Sequence, residues 1–103
     1  MSRYARKVDE NQAQVVAALR ALGATVQSLA AVGAGVPDLL VGHRGRTFLL
    51  EVKDGRKVPS ARYLTDAEDG WHRSWRGGPC LVVQSAGDAV FVVTGQRIEK
   101  REP

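Results

Sequence analysis

The chain is expected to fold as an α/β domain, a mixed five-stranded sheet flanked by helices in the order helix, three strands, helix, two strands. Three observations carry that expectation. Near the start, Val15, Val16, Leu19 and Leu22 recur at helical spacing. Short apolar runs bounded by glycine turns follow over residues 38–41 and 47–53. A second helical stretch then separates them from two further apolar runs, so a crossover connection must join strands within one sheet.

The first helix is placed over residues 9–22, with Gly23 as its C-terminal stop. A strand is expected over 25–30, then a flexible loop through Val32, Gly33, Ala34 and Gly35, where glycine frees the backbone angles. The second strand spans 38–41, a hairpin-type turn 42–46 and the third strand 47–53. Residues 54–63 form a polar loop containing Pro59. The second helix runs over 65–75: Thr65 is its N-cap, Glu68 completes a capping-box spacing, and Gly77, Gly78 and Pro79 end it. Two more strands are expected over 80–84 and 89–93, followed by a polar tail over 96–103. The meander of the middle strands and the crossover of the second helix make the sheet mixed.

Length and composition bound the possibilities. With 103 residues, 44% of them hydrophobic and 25% charged, a single globular domain over 1–103 with one modest core is expected. No apolar run is long enough to cross a bilayer, and no apolar segment follows the basic start at Arg3, Arg6 and Lys7, so no signal peptide is expected. Cys80 is the single cysteine and lies in an apolar run, which excludes an internal disulfide and points to a buried thiol in a cytoplasmic protein. The net charge of +4 suits a polyanionic partner or simply a solvated basic surface. Arg44, Arg46, Arg56, Lys57, Arg62, Arg73 and Arg76 fit a phosphate backbone if they converge on one face.

The most informative residues are Asp38, Glu51 and Lys53, three charges on two otherwise apolar strands. Charge so close to apolar surface is normally paired or metal-bound. Alternation along the third strand sends Phe48, Leu50 and Val52 to one face and Leu49, Glu51 and Lys53 to the other. The hairpin brings Asp38 opposite a residue near Glu51. Asp38 and Glu51 could then chelate one cation, with the Val52 carbonyl as a third oxygen, and Lys53 beside it could orient water or stabilise charge on a phosphate. The competing reading is a strand-edge salt bridge of Glu51 with Lys53 or Arg44, with Asp38 serving as a turn residue after Pro37.

Pro37-Asp38 followed by Glu51-Val52-Lys53, with a glycine-rich lead-in, resembles the PD-(D/E)xK nuclease superfamily. The surrounding elements resemble its small phage and bacterial members of the VRR-NUC type and, more distantly, archaeal Holliday junction resolvases. That resemblance implies a restriction-endonuclease-like core and a DNA endonuclease dependent on Mg2+ or Mn2+ in a bacterial or phage-infected cell. A domain this small engages only a short duplex patch, so a homodimer is expected for cutting both strands or a junction. Junctions or flaps are among the substrates it implies. Asp38, Glu51 and Lys53 match the catalytic positions.

One departure from the pattern matters. The superfamily usually has an acid on the first helix facing the site, whereas the helical phase here turns Gln12 inward, leaves Asp9 at the edge of the stripe and places Glu10 on the opposite side. Gln12 either lines the metal site or bonds a neighbouring strand end. Glu68 is either the partner of the Thr65 cap or a group beside Lys53. Arg44, Arg56, Lys57 and Arg62 are the expected DNA contacts. A binding module that keeps the fold without cleavage is the alternative from another class, and a small interaction protein with paired surface charges is a third. Trp71 and Trp75 read as core or interface residues, and neither His43 nor His72 has a partner at metal-ligand spacing.

Overall fold

The structure, a computed structural model, describes residues 10–96. Helix α1 (Glu10–Ala21) leads into strand β1 (Thr25–Ser28), and strands β2 (Leu39–His43) and β3 (Arg46–Val52) form a hairpin. A short 3-10 turn (Pro59–Arg62) precedes helix α2 (Asp66–Ser74), strand β4 (Cys80–Val83) and helix α3 (Ala86–Thr94). Asp9, Arg3, Arg6, Lys7 and the tail beyond Gln96 lie outside the described residues. No helix among those described is long and apolar enough to cross a membrane.

The sheet has four strands among the described residues, in the order β1-β2-β3-β4. β1, β2 and β3 are antiparallel neighbours, and β4 pairs parallel with β3 after the α2 crossover. The mixed sheet and the crossover match the sequence expectation. The fifth strand does not form, because residues 86–94 are helical. The run Ala89-Val90-Phe91-Val92-Val93 has strong strand propensity, but its ends are built for a helix. The Ser85 hydroxyl accepts from the Asp88 N–H at 3.0 Å, Asp88 Oδ2 accepts from the Gln84 N–H at 2.9 Å, and Gly95 closes the helix at φ +79°. Ala89 and Val93, four residues apart, are both buried in the core formed with α1 and the sheet, so the burial period is helical.

The core lies on one face of the sheet. Phe48, Leu50 and Val52 of β3 join Leu39, Val41 and Val83 beneath Val15 and Leu19 of α1 and Ala89 and Val93 of α3. This is the alternation expected of the third strand. Its other face carries Leu49 and Glu51, which are buried as well. Gly35, at φ +84°, lets the loop before β2 meet α2 closely: a Cβ there would strike the carbonyl of Ala67. The glycine-rich loop thus braces α2 beside the strand ends.

Candidate active site

The β2–β3 register aligns Leu39 with Leu50, so one step further Asp38 faces Glu51. Asp38 is fixed there because its Oδ2 accepts from the Val52 N–H at 2.8 Å, while its own carbonyl accepts from the Leu29 N–H at 2.8 Å. The carboxylate thereby replaces the next rung of the ladder and closes the end of the hairpin.

Glu51 is only 3% exposed, and its Oε1 is buried with no hydrogen-bond partner. Such an atom is costly unless something positive or protic meets it. Burial pushes the Glu51 carboxyl up to about 8; the negative charges of Asp38 and Glu68 and a side-chain hydrogen bond with Asp38 add to the rise, and Lys53 opposes it. Lys53 Nζ lies 3.8 Å from Glu51 Oε2 and 2.9 Å from Glu68 Oε1.

Glu68 holds two roles at once. Its Oε1 accepts from the Thr65 N–H at 2.9 Å as Thr65 Oγ1 accepts from the Glu68 N–H at 3.1 Å, a complete capping box. The same oxygen accepts from Lys53. The two sequence readings of Glu68 are therefore a single arrangement. Burial alone would raise the Glu68 carboxyl, but the hydrogen bonds from Lys53 and Thr65 outweigh it and hold it below the ordinary range.

From α1, the residue that reaches the strand ends is Asn11. It is 4% exposed, and its Nδ2 donates to the carbonyl of Lys53 at 2.9 Å and to that of Gln84 at 3.2 Å. Gln12 is half-buried beside it. The stripe of α1 is centred on Asn11, Val15 and Leu19, with Val16 and Leu22 at its margin, so the inward polar position is one residue earlier than the phase of Val15, Val16, Leu19 and Leu22 suggests. The signal was present: Asn11 stands four and eight residues before Val15 and Leu19. Glu10 is exposed, as expected.

The expected DNA contacts divide into two groups. Arg56, Lys57 and Arg62 lie in the segment between Lys53 and α2. Arg56 is 64% exposed while bonded through Nε and Nη2 to Asp54, both at 2.9 Å. These bonds hold the Asp54 carboxyl down at about 2. Arg62 donates to Gln84 Oε1 at 3.4 Å. Arg44 stands at the tip of the hairpin, at the opposite end of β2 from Asp38.

On the α2 side of the sheet, His72 Nδ1 lies 3.6 Å from Cys80 Sγ, and burial, aided by the charge of Glu51, raises the half-buried thiol. Trp71 and Trp75 stack at 5.1 Å, but Trp75 is 40% exposed and its indole N–H donates to the Gly78 carbonyl at 2.8 Å, so this pair lies at the surface and not in the core.

Asp38 and Glu51 offer two carboxylates, one with an orphaned oxygen, with a backbone carbonyl at Val52. No cluster of three or more His, Cys, Asp or Glu side chains suited to a metal occurs among the described residues. A hard cation that keeps several waters, as magnesium does, fits such a sparse oxygen set; zinc, which favours imidazole and thiolate ligands, fits it poorly.

No protein-family model matches the chain, and no curated protein does. A solved structure described as a VRR_NUC domain is similar, with 29% sequence identity and a TM-score of 0.60, covering 80% of this chain and 88% of that one. The chain resembles a VRR-NUC-type domain in sequence and in fold.

Proposed function

We propose that this VRR-NUC-like domain is a nuclease that hydrolyses DNA phosphodiester bonds with the help of Mg2+ or Mn2+. The observation that carries the proposal is the orphaned Glu51 Oε1, buried beside Asp38 and within reach of an ammonium group. An exposed strand-edge salt bridge would keep its carboxylate oxygens in water, whereas a buried oxygen with no protein partner is open to a cation.

Asp38 and Glu51 would hold the cation, with the Val52 carbonyl as a further oxygen. A bound divalent cation supplies Lewis acidity and neutralises charge on the phosphate. Lys53, held by Glu68, presents its ammonium to the attacking water or to a non-bridging phosphate oxygen, where it stabilises the developing negative charge. Asn11 fixes the backbone of Lys53 and Gln84, so the strand end that carries the lysine cannot drift. Gln12 flanks this end of α1 and lines the approach. Arg56, Lys57 and Arg62 grip the backbone beside the cut. One such domain addresses one phosphodiester, so cutting both strands of a duplex or a junction takes two copies.

The test is cleavage of plasmid, flapped and four-way DNA with magnesium, with manganese and with chelator. Cleavage is expected only with a metal, and Asp38→Ala or Lys53→Ala should reduce it by roughly 100-fold or more. Salt-sensitive DNA binding with no cleavage under any metal would overturn the catalytic reading.

A further inference from the structure

The tip of the β2–β3 hairpin carries a second concentration of positive charge. A cavity of about 350 Å³ opens there, lined by His43, Arg44 and Arg46 together with Leu22, Val93 and Thr94. Its described lining includes no carboxylate. Two guanidinium groups lining one cavity give it a positive potential that favours an anion.

The turn fixes the backbone of Arg44, and a ring contact steadies Arg46. Arg44 and Gly45 form a two-residue turn with φ +50° and +83°, closed by the pairing of His43 with Arg46. That turn favours Asn or Gly at its first central position, because a longer side chain is strained at positive φ. An arginine at this position carries backbone strain that an ordinary exposed one does not. Arg46 is steadied by its guanidinium carbon, which lies 4.9 Å from the centroid of the Phe48 ring. The planar forks of two arginines suit the oxygens of a phosphate group, and His43 adds an imidazole N–H.

This cavity is not an extension of the active site. Arg46 shares the β3 face of Phe48 and Leu50, which packs on α1 and α3, while Glu51 and Lys53 belong to the α2 side. Arg46 and Glu51 stand five positions apart along β3, about 17 Å of strand. A phosphate bound here is neither the one being cut nor its neighbour.

We propose that the cavity is a second phosphate site, which takes a backbone phosphate of nucleic acid remote from the bond being cut. The source of the phosphate rests on the nuclease reading above; the anion chemistry does not. Binding is measured without divalent metal, on wild-type protein and on Arg44→Gly, Arg46→Gln and the double variant, with a duplex and a four-way junction at several salt concentrations. Amide signals are followed in parallel with the same DNA and with inorganic phosphate.

The double variant is expected to bind on the order of tenfold more weakly and to lose about two from the slope of log K against log salt. Amides of 43–46 and 93–96 should shift when DNA is added. Arg44→Gly should melt at a higher temperature than wild type while binding more weakly, because it relieves the turn and removes the charge; this separates lost contact from lost fold. Unchanged affinity and slope in a wild type that binds DNA would overturn the second site and leave the nuclease reading intact. Wild type that neither binds nor cuts DNA would overturn both. Shifts with inorganic phosphate but none with DNA would overturn the nucleic-acid assignment.

Discussion

At the scale of single residues, Glu51 sets how stability responds to pH. Its carboxyl is at about 8 in the folded chain against an ordinary 4.5, so the folded state holds this proton more tightly than the unfolded state does. Below the unfolded value both states are protonated and stability is complete. Above it the unfolded chain releases the proton while the fold retains it, so stability falls with rising pH until about 8 and then levels off. Asp54, held at about 2, acts in the opposite direction and only in acid, so it leaves this window alone. The melting temperature should therefore decline between about pH 5 and 8, and Glu51→Gln, which is neutral throughout, should flatten the profile and melt higher at the alkaline end. Saturating magnesium should reduce the decline in wild type and have little effect on the variant. A wild-type profile as flat as that of Glu51→Gln would refute the protonated Glu51. Asp38, Glu51 and Lys53 were legible in the sequence because strand alternation and hairpin pairing are short-range rules. Asn11 was visible only in its spacing to Val15 and Leu19, because the phase of a helix is set by what packs against it, and α3, which lies against α1, has the propensity of a strand.

At the scale of elements, one local device caps both α2 and α3. Thr65 with Glu68 and Ser85 with Asp88 have the same spacing, and both cap helices in the structure. Thr65 precedes a polar, plainly helical segment, whereas Ser85 precedes a run of β-branched residues whose propensity favours a strand. Caps at both ends and a core that accepts Ala89 and Val93 side by side decide for the helix. Ser85→Ala should therefore cost about 1 kcal/mol of stability, seen in urea unfolding, although Ser85 has no partner across the sheet. Gly35→Ala should cost more. The positive φ alone is worth about 1 kcal/mol, and the added methyl strikes the Ala67 carbonyl and pushes α2 away from the strand ends. Loss of less than a few tenths of a kcal/mol at either position would contradict the packing of α3 or the bracing of α2.

At the scale of the whole molecule, the two layers on the sheet are unequal. α1 and α3 bury Val15, Leu19, Ala89 and Val93 against one face. α2, on the other, has no buried residue of its own. It is held by the Gly35 loop at its first turn, by the Lys53–Glu68 pair and by the meeting of His72 with Cys80. Elements with few buried apolar contacts open at lower free energy than the core they cover. Amides of α2 should exchange with solvent through a local opening well before those of β2 and β3, which share the slow, global exchange. The charged pair at 2.9 Å lies at the strand end that carries the proposed catalytic lysine, so it links that opening to the candidate site. Lys53→Met keeps most of the length of the side chain and removes its charge. It should speed exchange throughout α2 by several-fold while β2 and β3 keep their protection relative to the global unfolding of the same variant. If the variant instead lowered protection uniformly across α2, β2 and β3, the helix would be part of one cooperative unit with the sheet, and the opening of α2 could not expose the site independently. The layer least buried is thus the one that carries Glu68, whose carboxylate holds the ammonium of Lys53.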